Sequence, residues 1–171
     1  MEIQSKEQMV LQRLSGFYSK PEVLESVRKI ITSESKISLR LLDWLVTNYA
    51  KKNNISYLTK KDGRHVIVYL SYKSNLRAYS KKMFDPFCRG KKIHFMGMST
   101  TVGQLNFFQW MIEDEVLQYL EDNYDAVQHD MDECSTTILT APGGRRKRHE
   151  LSRSATKIVQ THNVCVSVKF D

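Results

Sequence analysis

Residues 72–92, YKSNLRAYSKKMFDPFCRGKK, carry seven basic side chains, Lys73, Arg77, Lys81, Lys82, Arg89, Lys91 and Lys92, interleaved with Tyr72, Tyr79, Phe84 and Phe87. A single acid, Asp85, opposes them. If residues 72–83 are helical, Tyr72, Leu76, Tyr79 and Met83 make one stripe, and Lys73, Arg77 and Lys81 make the adjacent one. Cations about a turn apart suit successive phosphates of a nucleic-acid backbone, and an arginine can engage two oxygens at once. The competing reading is a solvated helix face over a core stripe, since no base-reading motif accompanies the segment.

A second basic run, Arg145, Arg146, Lys147 and Arg148, follows Gly143 and Gly144. It has the form of a nuclear-localisation or nucleic-acid patch, and equally of a counter-charge for the acids between Glu113 and Glu133. His129, Asp130, Asp132, Glu133 and Cys134 cluster in sequence, but on a helix Asp130 and Cys134 share one face and His129 and Asp132 another. Tetrahedral ligation from that segment is awkward, so no metal is expected. A phosphate-binding glycine loop, a nucleophile elbow, HExxH and the deaminase His-x-Glu with paired cysteines are all missing from the sequence. His65, Cys88 and His94 are the residual nucleophile and base candidates, and the expectation is a non-enzymatic protein without a cofactor.

The elements that must carry these residues are readable from periodicity. Pro21 opens a helix over 21–32, with Val23, Leu24, Val27, Ile30 and Ile31 at helical spacing. Ser38 caps a stronger one bearing Leu39, Leu42, Leu45, Val46 and Tyr49. ISYL at 55–58 and HVIVYL at 65–70 flank Asp62-Gly63, a hairpin signal, and the unbroken apolar run Val66–Leu70 predicts a strand buried on both faces. KIHFM at 92–96 and the alternating Val164, Val166, Val168 and Phe170 are its candidate partners. Ser99, Thr100 or Thr101 starts one or two helices over 99–133. A short strand is expected at 137–139 and a helix over 145–162. The fold class is therefore α+β: a single domain in which a small, mostly antiparallel sheet is packed by several helices. An N-terminal helical segment, 1–36, precedes the main domain, 37–171, with a hinge at 142–144 before a basic C-terminal helix and strand.

At 171 residues, 41% of them hydrophobic, the chain can bury a core without covalent staples. Cys88, Cys134 and Cys165 lack CxxC spacing and a leader, so free thiols inside the cell are expected. No apolar run reaches the length of a membrane span. The net charge of +7 is segregated: 19 basic and 8 acidic side chains lie in 1–92, nine acids and no Lys or Arg in 93–144, and seven basic and two acidic ones in 145–171. Such segregation points to an anionic partner, or to charge pairing within or between protein molecules.

Three segments, YLSYKSNLRAYSKKMFDPFCRG, MSTTVGQLNFFQW and RKRHELSRSATK, together resemble uncharacterised proteins of large nucleocytoplasmic DNA viruses. The resemblance spans roughly 37–112 and 145–171, brings no catalytic residue, and implies a viral protein made in the host cytoplasm. The expected locations are host cytoplasm or nucleus, with the virion as a third. Two functions remain open at this point: nucleic-acid binding, DNA or RNA, through phosphates, or a structural or assembly protein whose charged surfaces and exposed aromatics dock protein partners.

Overall fold

The computed structural model describes residues 6–140, with side chains described over 8–137. The expected hinge, the Arg145–Arg148 run, the basic helix, Cys165 and the terminal strand, all within 141–171, lie outside them. One compact unit runs Met1–Asp132; of a second, Glu133–Asp171, the described residues include only the end of one helix.

The first helices, α1 (Lys6–Tyr18) and α2 (Pro21–Ile31), turn at Ser19-Lys20, and Pro21 sits in the first turn of α2, where its missing N–H costs nothing. α3 (Leu39–Trp44) starts where Ser38 Oγ accepts the Leu41 N–H, then passes through a π-helical turn at Leu45–Tyr49 into α4 (Ala50–Lys52). Leu41, Leu42, Leu45 and Val46 are buried, so the apolar stripe seen in sequence is the core face. Leu14, Tyr18, Val27 and Ile30 from α1 and α2 join the same core.

β1 (Ser56–Leu58) and β2 (His65–Ile67) form the expected antiparallel hairpin, with Gly63 at φ 65° in its turn. The long interior strand does not exist. After Ile67 the chain enters α5 (Val68–Tyr79), because the apolar run serves helical spacing instead: Val68 and Tyr72 are buried while Leu70 is 59% exposed. KIHF does not join that hairpin either. β3 (Lys92–Phe95) pairs with β4 (Met98–Thr101) in a second antiparallel hairpin, closed by Met96 and Gly97 at φ 46° and 84°, as a two-residue type I′ loop requires. Among the described residues two two-stranded sheets thus stand where one sheet was expected, and the class is α+β.

Thr101 ends β4 and caps α6 (Val102–Glu113), its Oγ1 accepting the Gln104 N–H. From Val102 to Phe108 every residue of α6 is buried, as expected of a helix at the centre of a core. Phe84, Phe107 and Trp110 pack as tilted and edge-on rings 5.4–5.7 Å apart, and full burial of such a side chain contributes about 1.5–3 kcal/mol. α7 (Val116–Asp122) and α8 (Tyr124–Thr140) follow; α8 continues through 137–139, where a strand was expected, in helical geometry.

Candidate nucleic-acid interface

Lys73 and Arg77 stand one turn apart on α5, both exposed, with Lys73 Nζ 5.6 Å from the centre of the Tyr69 ring. The row of three cations stops there. α5 ends at Tyr79, and Ser80, at φ 71°, turns the chain away, so Lys81 and Lys82 begin a loop, both exposed. Met83 leaves the apolar stripe with them, at 37% exposure. Lys91 and Lys92 close the loop at the start of β3, also exposed. Three of the four aromatic residues turn inward. Tyr72 and Phe84 are buried and Tyr79 stacks on Phe84 at 5.7 Å, so these rings build the core rather than a docking surface.

The loop backbone is held by α6. Gln104, fully buried, donates from Nε2 to the Pro86 carbonyl at 2.9 Å and accepts the Thr100 hydroxyl at 2.7 Å. Asn106 Nδ2 donates to the Met83 carbonyl at 3.0 Å, while its Oδ1 accepts from Arg13 of α1 at 3.0 Å. The Asp85 N–H donates to the Gly103 carbonyl at 3.2 Å. Gly103 has a further reason to lack a side chain: a Cβ there would lie 2.7 Å from the Lys82 carbonyl oxygen. No role was expected of Gln104 and Asn106 from sequence; the signal was two amides within the apolar half of α6, where only a specific partner makes burial tolerable.

Charge pairing separates the cations into two groups. Asp114 accepts from Trp110 Nε1, from the Ser71 hydroxyl and from Arg64, whose guanidinium lies 2.9 Å away. Glu115 accepts the Lys60 and Lys61 N–H groups, and Lys60 Nζ lies 3.8 Å from Asp122. Asp130 holds Trp44 Nε1 and Lys52 Nζ. The acidic stretch is thus partly met by cations of the first hairpin and α4. Arg89 is bound through two nitrogens by Asp85 at 2.8 Å each. Nearby, burial holds the Asp43 carboxyl above its ordinary range, against the lowering effect of the Arg89 guanidinium. Lys73, Arg77, Lys81, Lys82 and Lys92 make no ion pair among the described residues.

Between the loop, α1, β3 and the start of α6 lies a cleft of about 450 Å³, lined by Val10, Met83, Ile93 and Val102 with Lys82 and Lys91. His65 and His94 lie on separate hairpins, Cys88 is half-buried in the 80–91 loop, and none of the three lines this cleft.

The match to a family of unknown function, DUF7197, covers residues 2–170. The chain is also similar to the uncharacterised protein L507 of Acanthamoeba polyphaga mimivirus, with 34% identity over 95% of this chain and 68% of the relative. No solved structure matches it. The viral kinship suggested by the three segments holds over nearly the whole length, and the chain belongs to the DUF7197 family.

Proposed function

We propose that the chain binds nucleic acid through phosphate contacts, without catalysing a reaction, in the cytoplasm or nucleus of a virus-infected host cell. One observation carries this reading. Lys52, Lys60 and Arg64 are matched by acids of α8, α7 and the turn after α6, whereas Lys73, Arg77, Lys81, Lys82 and Lys92 are exposed and without an ion pair among the described residues. Positive potential therefore remains along α5 and the two ends of the 80–91 loop, where a polyanion would displace counterions. Arg89 contributes less than the sequence suggested, since Asp85 already holds its guanidinium. Arg145, Arg146, Lys147 and Arg148 would add a second contact from outside the described residues.

The test is binding of nuclease-treated protein to labelled nucleic acid across a salt series. Each phosphate contact lowers the slope of log affinity against log salt by about 0.7–0.9. Replacing Lys73 and Arg77 by Glu should therefore flatten the slope by roughly 1.4–1.8 and weaken binding. Binding insensitive to salt, or unchanged in that variant and in a Lys81, Lys82, Lys92 triple variant, refutes the assignment. No binding at low salt together with a nuclease-resistant oligomer would support the assembly reading, in which the same surfaces dock protein.

A further inference from the structure

We infer that the cleft between the 80–91 loop and α6 receives one unstacked base of a single-stranded nucleic acid, with Lys82 and Lys91 holding the adjoining phosphates. This rests on the phosphate-binding reading and adds to it a choice between single and double strands. The cleft measures about 450 Å³, within the range of roughly 300–1,000 Å³ typical of small-ligand sites. It is lined by Val10, Met83, Ile93 and Val102, together with Gly90, Thr101 and Gly103. Aliphatic side chains give dispersion contact to a flat ring, and such contact is indifferent to base identity.

Charge complementarity names the occupant. Among the described residues, both charged side chains that line the cleft are lysines, and their neighbours in sequence, Lys81 and Lys92, are exposed and add to the positive charge of the segment. A ligand that is apolar in its body and anionic at both ends fits this arrangement, and a nucleotide within a strand has that form. A second surface cleft, about 360 Å³, is lined by Glu22, Glu115 and Glu121 with only Lys60 opposing them, and would repel the same ligand. Bases of a duplex are stacked and paired and cannot enter a side cleft without being extruded, so the site favours single strands.

Gly90 provides a test that spares every cation. A Cβ there would meet the Lys82 carbonyl oxygen at 3.9 Å and the Thr101 methyl at 4.0 Å, ordinary contacts, so Gly90→Leu can place its side chain in the cleft without forcing the backbone. Three probes would be titrated against the full chain at one salt concentration: a short single strand, the same strand with abasic sites throughout, and a duplex. The intact strand should bind about tenfold more tightly than the abasic strand of equal phosphate count. Gly90→Leu should erase that difference while leaving duplex affinity and the unfolding midpoint unchanged. Equal, salt-sensitive binding of intact and abasic strands overturns the base site and leaves the phosphate surface standing. Failure of all three probes to bind at low salt overturns the phosphate surface and the base site with it.

Discussion

Gly103→Ala tests the idea that α6 sets the position of the lysine-bearing loop. A Cβ at this position lies 2.7 Å from the Lys82 carbonyl oxygen and 3.3 and 3.4 Å from two Met83 backbone atoms. The neighbours are backbone, so the loop itself must retreat, by roughly half an ångström to regain van der Waals distance. The retreat strains the Asp85 N–H to Gly103 carbonyl bond, already 3.2 Å long, and the Asn106 bond to the Met83 carbonyl. Overpacking of this kind costs about 1–3 kcal/mol. Alanine recovers up to about 0.5–1 kcal/mol through its helix preference. The net expectation is a loss of about 1–2 kcal/mol, read as a lower urea midpoint with unchanged slope in unfolding followed by tryptophan fluorescence. Gly16→Ala is the matched control: it lies in α1 with nothing within 4 Å of the added carbon, and should be neutral or stabilise by up to about 1 kcal/mol. A Gly103→Ala protein as stable as its parent, alongside a normal Gly16→Ala response, would refute the claim that the loop is clamped against α6.

Two further outcomes follow from the same geometry. Gln104→Leu leaves the Thr100 hydroxyl and the Pro86 carbonyl without their partner in a fully buried place, and thermal or urea unfolding should show a loss of about 2–4 kcal/mol. The hydrogen bond from Lys52, joined by that from Trp44, holds the Asp130 carboxyl below its ordinary range. That bond's contribution is present above the unfolded-state value of about 3.9 and is lost as pH falls through the lower folded value. Asp130→Asn should therefore lower stability at neutral pH and blunt the acid-side decline, and identical pH profiles for the two proteins would count against the tie.

Much of the framework was legible because local signals and tertiary packing agree. Ser38 caps α3, Asp62-Gly63 turns the first hairpin, and Thr101 caps α6, each where its chemistry demands. The junction at Val68 was not legible: a short apolar run fits a buried strand and a buried helix start equally, and only the exposure of Leu70 separates them. KIHF read as a strand, but its partner was hidden because Met98–Thr101 serves both as β4 and as the lead into α6. The basic segment was recognisable by charge alone. Its shape was not, since Lys81 leaves the helical row at Ser80, and the clamp depends on Gln104 and Asn106, whose partners lie some twenty residues away in sequence.

The clamp on the loop acts on main-chain atoms: the carbonyls of Met83 and Pro86 and the N–H of Asp85. Side chains at 81, 82 and 92 are therefore bystanders to the loop's conformation, exposed and outside those bonds. Scaffold and surface can diverge at different rates. A lineage can rewrite the charge carried at these positions, acquiring or discarding affinity for a polyanion, without renegotiating the interior, whereas a change at Gly103, Gln104 or Asn106 must be accommodated by the whole loop at once.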